Sequence, residues 1–558
     1  MPHSSSSVHE YHDGTKHHFH RFARSIGYLD WASQPSPFRS YAGARLIPLY
    51  PGPDAPPSAA PPIPDTAYEQ LAACTIEPAP MSAVTLGDLL RHSLGLSAWK
   101  RAGTARWSLR VNPSSGNLHP TEAYVVCGPL DGISSRAGVH HYAPDRHALE
   151  ERCAFDPAAW IGAAGTPDVA VVAITSIHWR EAWKYGERAF RYCQHDAGHA
   201  IGALALAAAA LGWGARLLPQ WSHADLAALC GVDRDDDFIE AEREEPACAL
   251  VVGPAARELT DVEVQALIAA VRGGEWRGQA SQLSEDHVDW TFIDDVAEAT
   301  RVPAGWPGAS VPAVRSVPDL PGLPGGAALG AQSAPPAPGA RSLFLQRRSA
   351  VAFDAQTRLP AATFFRILRR VLPGPTPPWA AIWWEPRVHL VLFVHRVDGV
   401  PPGLYLLGRD EGGAERLMGA MRRDFTRENV AADLPLVRLA AGDCRSLARR
   451  LSCDQEIASD GCFAVAMIAE FDAALAQGGA PFYRHLFWET GVVGQVLYLE
   501  AEAAGLRATG IGCFYDDPVH DALGLEGHAF QSLYHFTIGG PVEDARITAE
   551  PGYGWERS

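Results

Sequence analysis

Two segments 293 residues apart share one pattern, and that repetition restricts the fold more than any other feature of the chain. FRYCQHDAGHAIGALALAAAALGWGARLLP begins at Phe190 and YRHLFWETGVVGQVLYLEAEAAGLRATGIG at Tyr483. The same ungapped offset places Gly198 on Gly491 and Gly212 on Gly505. Each segment reads as a long apolar helix, entered through an aromatic residue and an arginine and followed by a short strand. Upstream, LGDLLRHSLGL (Leu86 to Leu96) resembles RSLFLQRRSAVAF (Arg341 to Phe353). Downstream, CALVVGPAA from Cys248 and YHFTIGGPVE from Tyr534 both read as strands ending in glycine and proline. Three matches in the same order point to an internal duplication. The order helix, strand, strand, long helix, strand, strand predicts an α+β fold.

Composition breaks delimit the two copies. The first 80 residues are rich in Pro, Ser and His and end in YPGPDAPPSAAPPIPD, where proline removes backbone donors; they read as an arm wrapped over the first domain. A second break, Val302 to Ala340, has the Pro/Gly/Ala make-up of a linker. The expected organisation is an arm (1–80), a first domain (81–260), a helix and linker (261–340), a second domain (341–546) and a tail (547–558). At 558 residues the chain exceeds what one core usually supports. Its 64 acidic and 47 basic side chains give a net charge of -17, which argues against nucleic acid or an anionic membrane as partner. The ten cysteines show no CxxC pair and read as reduced thiols of a cytoplasmic protein. The N-terminus lacks the apolar region of a secretory signal, and the longest apolar run, Ala200 to Trp213, is too short to span a bilayer and reads as a buried helix.

Four local patterns carry chemistry. RVNPSSGNLHPTEAY, from Arg110 to Tyr124, occurs only in the first half. At the corresponding place the second half has PPWAAIWWEPRVHLVLFVH, with Trp379, Trp383 and Trp384. A basic pair precedes serine at Arg347, Arg348 and Ser349, and a Lys-Tyr pair stands at Lys184 and Tyr185 in WREAWKYGERAF. His195 and His199 read as structural, because HDAGH lacks the glutamate of HExxH and no third ligand accompanies it. The arm histidines His9, His12, His17, His18 and His20 sit on a segment poorly suited to preorganise a metal, so no metal site is expected.

Taken together, these motifs resemble the nitroreductase superfamily of flavin enzymes, and within it the SagB/ThcOx-type dehydrogenases, which include azoline dehydrogenases of thiazole- and oxazole-peptide biosynthesis. The resemblance covers Thr85 to Pro254 and Arg341 to Pro541. It implies two tandem nitroreductase-like domains, each a central antiparallel sheet wrapped by helices, that form an intramolecular pseudo-dimer in place of the family's two-fold dimer. It also implies a composite FMN site. Arg347, Arg348 and Ser349 match the phosphate motif, a role that guanidinium suits. The family often has a further basic residue where Val351 stands, and Arg546 is the candidate replacement. Gly510, Ile511, Gly512 and Cys513 match the backbone segment that approaches the flavin N5 edge, with Cys513 chiefly a backbone contact. Pro113, Ser114, Ser115 and Asn117 match the loop offered from across the interface.

Lys184 and Tyr185 match the catalytic pair of the azoline dehydrogenases. Both side chains ordinarily titrate at about pH 10, so Arg180, Arg188 and Arg191 are expected to lower one of them toward neutrality. The reciprocal site keeps Arg91 and Ser93 but meets tryptophans instead of the loop, so one FMN per chain is expected. The implied reaction is a two-electron dehydrogenation of a peptide-derived azoline or similar imine, with the proton going to a Lys/Tyr base and hydride to flavin N5. The substrate would be a peptide or small molecule, and proteins of a biosynthetic complex would be partners. An NAD(P)H-dependent nitro- or quinone reductase and a non-catalytic flavin-binding partner subunit are the alternatives, with NAD(P)H or O2 as the other redox partner.

Overall fold

The structure, a computed structural model, describes residues 2–55, 63–73, 75–219, 221–309 and 338–557. Most of the stretch read as a linker therefore lies outside the described residues. Each half is built on an antiparallel sheet. In the first, strands run in the spatial order Glu275–Trp276, Ala148–Phe155, Ala137–Ala143, Thr121–Cys127, Ala170–Ser176, Glu245–Gly253, Gly214–Leu217. In the second the order is Glu428–Ala431, Leu434–Ala441, Gly403–Leu407, Val388–Val394, Phe463–Glu470, Phe530–Gly539, Arg507–Ile511.

The central strands are buried along their whole length because both faces of each sheet are covered. Side-chain alternation divides each strand between two cores. Val125, Val172 and Leu250 face a core shared by the two halves. Val126, Val171 and Val251 face an outer core closed by helices Pro157–Ala164, His223–Cys230 and Asp261–Arg272. The second half repeats the arrangement, with Leu390 and Leu392 inward and Val391 and Phe393 toward helices Glu411–Ala420, Arg445–Leu451 and Asp516–Leu523.

At the centre of the shared core lie the two repeated helices, Ala189–Ala209 and Phe482–Ala503, buried on every side. They touch backbone to backbone. A Cβ on Gly198 would lie 2.3 Å from the Trp488 carbonyl oxygen, and one on Gly491 would lie 2.3 Å from that of His195. Glycine recurs at this point in both copies because only glycine fits there.

The chain ends cross between the halves. The arm opens as a helix, Pro2–Gly14, whose His12 hydrogen-bonds Tyr483 and Gln531 of the second half, while strand Arg45–Pro48 extends the first sheet beside Ala148–Phe155. The arm thus spans both domains, not the first alone. In return, the tail strand Thr548–Pro551 pairs with Leu96–Ala102 of the first half. No described helix is long and apolar enough to cross a membrane.

Candidate functional site

A cavity of about 360 Å³ opens where the two halves meet. The first half contributes the segment Asn112 to Asn117 with Lys100, Tyr185, Tyr192, Asp196 and His199. From the second half come Arg347, Arg348, Ser349, Tyr498, Gly510 to Cys513 and Tyr534. The phosphate-type motif and the glycine segment, distant in sequence, are brought together by main-chain pairing: Ser349 bridges Ala508, and the Ala350 N–H donates to the Ala508 carbonyl at 3.1 Å.

The loop holds its shape through its own polar side chains. Gly116, Asn117 and His119 have φ of 57°, 61° and 55°, the left-handed region that glycine and asparagine tolerate best. Asn117 Nδ2 donates to the Ser108 carbonyl at 2.8 Å, and the His119 N–H donates to Ser114 Oγ at 2.8 Å. The N–H and hydroxyl of Ser115 both donate to Asp196 Oδ1 at 3.0 Å. Burial pushes the Asp196 carboxyl up to about 7. What the loop offers to a ligand is therefore mainly its backbone and the carboxyl beneath it.

Lys100, Arg347 and Arg348 also line the cavity, and none of the three forms an ion pair with a described carboxylate. Arg347 donates to the carbonyls of Val111 and Arg110, and its guanidinium lies 4.9 Å from the centroid of the Tyr498 ring. Burial, with Arg347 alongside, pushes the Arg348 guanidinium down to about 10; burial and then Arg348 also lower the Lys100 ammonium. Three cations lining one cavity without a described ion-pair partner suit an anionic group. The buried Asn112 Oδ1 lacks a partner at the same cavity, as a polar ligand would require. These features fit a phosphate-bearing cofactor with a flat polar ring.

Several expectations change. Arg546 is exposed and tied to Asp544 at 2.7 Å, away from the cavity, because the chain has already turned toward the tail strand. The third cation beside Arg347 and Arg348 is instead Lys100, on a first-half strand. Lys184 and Tyr185 separate: Tyr185 lines the cavity, with its hydroxyl against Gly116, whereas Lys184 is exposed, its Nζ 5.2 Å from the Tyr185 ring centroid. Nor do the arginines lower Tyr185. Arg180 pairs with Glu122, and Arg188 and Arg191 both pair with Asp516 at 2.9 Å, away from the Tyr185 hydroxyl. Burial, followed by the buried Glu181, holds the Tyr185 phenol well above its ordinary value. Glu181 is itself held protonated-side by burial and by Asp196.

The arm's His17 also reaches the site, with Nδ1 3.6 Å from Cys513 Sγ. Inside the core, His195 Nδ1 hydrogen-bonds Thr490 Oγ1 at 2.9 Å and stacks on Tyr534, while His199 Nε2 meets the Tyr534 hydroxyl at 3.2 Å. Tyr192, Asp196 and His199 stand at i, i+4 and i+7 on one face of an alanine-rich helix, a stripe visible in the sequence.

At the pseudo-symmetric positions the residues contact other parts of the chain. The offset that pairs the central glycines pairs Asp196 with Glu489, which accepts from the Arg387 N–H at 2.9 Å and from Trp384 Nε1 at 3.3 Å, so the tryptophan segment stands where the Pro-Ser-Ser loop stands in the first copy. Trp383 and Trp384 pack with Trp306, His485 and Trp488. Arg91 is neutralised by Glu556 of the tail and lies 4.9 Å from the Tyr553 ring centroid, while the Ser93 hydroxyl donates to the Leu89 carbonyl.

The nitroreductase family model matches residues 59–253 and 345–540, one match in each half and together well over half of the chain. A protein of Methanocaldococcus jannaschii, assigned by name as a nitroreductase, is 32% identical over 110 residues; the match covers 18% of this chain and 54%, about half, of that relative's length. The solved structure of an assigned nitroreductase from Anabaena variabilis superposes with a TM-score of 0.68 at 21% identity, covering 96% of this chain and 99% of that one. The fold is therefore shared across both halves. With a family match in each copy, the chain belongs to the nitroreductase family of oxidoreductases.

Proposed function

We propose that the chain is an FMN-dependent oxidoreductase with one working flavin site, built from both halves. The observation that carries this reading is the cavity between the halves, lined by three cations that form no ion pair with a described carboxylate and by a glycine-rich backbone edge. Arg347, Arg348, Ser349 and Lys100 would hold the phosphate, and Gly510 to Cys513 with Pro113, Ser114, Ser115 and Asn117 would hold the ring. When bound, FMN supplies the two-electron carrier that exchanges hydride with a substrate.

The chain's own contribution is proton transfer and exclusion of water. A phenol held above its ordinary value keeps its proton at neutral pH, so Tyr185 is a donor there, and reduction of a substrate such as a nitro compound, quinone or imine is the direction it serves. A second reading is the SagB-type dehydrogenation of a peptide-derived azoline, for which a base is needed. The Asp196 carboxyl, titrating at about 7 and lining the cavity, favours that reading, with Lys184 at the outer side of Tyr185. Anaerobic mixing separates the two: rapid flavin bleaching by NAD(P)H supports reduction, and bleaching by an azoline peptide supports dehydrogenation. Biosynthetic proteins would be the natural partners in the second case.

Fully loaded protein is expected to hold one flavin per chain by absorbance and protein assay. A ratio near two would sink the assignment of Trp383, Trp384 and Glu556 as fillers of the second site. Replacing Lys100 with methionine keeps the stem but removes the charge, and should weaken flavin binding by about tenfold or more, since a charge-assisted hydrogen bond contributes about 1.5–3 kcal/mol. Unchanged retention through desalting would remove Lys100 from the phosphate site.

A further inference from the structure

Seven of the nine described cysteines are buried; Cys453 and Cys513 are the two that are half exposed, and they are neighbours, Sγ to Sγ 2.9 Å. Two segments distant in sequence are fastened together to make this contact. Gln455 Nε2 donates to the carbonyls of both Ser452 and Cys513, at 2.8 and 3.0 Å, and the Tyr515 N–H donates to the Leu451 carbonyl at 2.9 Å. Cys453 and Asp454 stand consecutively in the left-handed region, with φ of 53° and 56°, which residues with side chains rarely adopt. That turn aims the Cys453 side chain at Cys513 instead of into the core.

The surroundings of Cys513 are those of a thiolate. The Cys453 thiol hydrogen bond, and then His17 and Arg188, hold the Cys513 thiol below its usual range. Buried Cys127 and Cys153, by contrast, are pushed up to about 12 by burial. His17 is itself fixed, its N–H donating to Asp516 Oδ2 at 2.8 Å, and Arg188 donates to the Gly512 carbonyl at 3.2 Å. Low-pKa, accessible cysteines with a second thiol in reach are those that undergo disulfide exchange.

We propose that Cys513 and Cys453 form a redox-active dithiol pair at the rim of the cavity, which reduces low-molecular-weight disulfides with Cys513 as the attacking and Cys453 as the resolving sulfur. In the first step Cys513 Sγ attacks one sulfur of the substrate, the substrate S–S bond breaks, and its other sulfur leaves as a thiolate. In the second, Cys453 attacks Cys513 Sγ, the mixed disulfide breaks and the second substrate thiolate leaves. Two electrons pass from the pair to the substrate, the two protons of the pair pass to the departing thiolates, and an internal Cys453–Cys513 disulfide remains. A dithiol reductant restores the pair. None of these steps depends on the flavin reading, so a failure of either can be told from a failure of the other.

The test uses the full-length chain, reduced, desalted and exposed anaerobically to oxidised glutathione, with thiol release followed and the peptides mapped after alkylation. The expected result is two glutathione thiols released per chain and a disulfide joining the Cys453 and Cys513 peptides. In Cys453→Ser a single glutathionyl adduct should accumulate on Cys513, and in Cys513→Ser neither adduct nor disulfide should form. Because a variant can fail to fold, the wild-type map decides by itself: both cysteines still alkylated, with no thiol release, overturns the proposal. His17, Cys453 and Cys513 also lie close enough to hold a soft cation. A stoichiometric zinc ion, found by elemental analysis and protecting both cysteines from oxidation, would likewise overturn it.

Discussion

Replacing Gly491 with alanine is expected to destabilise the whole chain by about 1–3 kcal/mol or more, the range for overpacking a filled core. The new Cβ would lie 2.3 Å from the His195 carbonyl oxygen, 2.7 Å from Gly198 Cα and 2.8 Å from the His199 nitrogen. All three are backbone atoms of a buried helix, so no side chain can swing away, and the central helices must separate. Separation would stretch the His195–Thr490 hydrogen bond and the bond from Trp488 Nε1 to Gln194 Oε1, each 2.9 Å and each linking the two halves. Because one apolar core runs through both halves, the loss should appear as a single thermal transition moved to lower temperature. Gly419→Ala supplies the contrast. Gly419 is helical and exposed, a Cβ there meets nothing within 4 Å, and alanine should be neutral or stabilising by up to about 1 kcal/mol. An unmoved midpoint for Gly491→Ala, or two separate transitions, would show that the halves are not held by this contact.

The same contact explains why the duplication was legible in the sequence. Gly198 and Gly491 recur because two backbones must meet, and the runs TEAYVVC, AVVAITS and VHLVLFV announce strands buried on both faces. The composite nature of the site was legible through the one-sided Pro-Ser-Ser-Gly-Asn loop and the Arg347–Ser349 motif, which the fold does bring to one cavity. What stayed hidden was set by contacts between distant segments, on which local pattern says nothing. Glu556 closing on Arg91 is one such contact, and the third cation is another: it came from Lys100 on a first-half strand and not from Arg546. The adjacency of Lys184 and Tyr185 in sequence concealed that successive helical residues point about 100° apart, so one faces the cavity and the other the outside. Arg180, Arg188 and Arg191 looked like neighbours of that pair but are committed to Glu122 and Asp516, a pairing visible only in three dimensions.

Tyr185→Phe is expected to lower turnover by about 10²- to 10⁴-fold, the usual worth of a positioned acid or base, while the protein stays folded and yellow. The substitution removes only the hydroxyl. The ring keeps its edge-to-face contact with Tyr192 at 4.5 Å, and the lost oxygen makes no hydrogen bond to another described residue, so neither packing nor a buried partner suffers. The pH dependence then identifies the direction of proton transfer. The folded-state value is raised, so the phenol remains protonated through neutral pH and loses its proton only well above pH 10. If Tyr185 donates, the rate of substrate reduction should stay level through neutral pH and fall only as the phenol ionises; if it accepts, dehydrogenation should accelerate toward alkaline pH. The phenylalanine variant should lose whichever slope the wild type shows. Lys184→Ala, at an exposed position, should cost less than Tyr185→Phe in the same assay. The opposite ranking, with Lys184→Ala abolishing turnover and Tyr185→Phe retaining it, would move proton transfer to the lysine and require the exposed side chain to fold into the cavity when substrate binds.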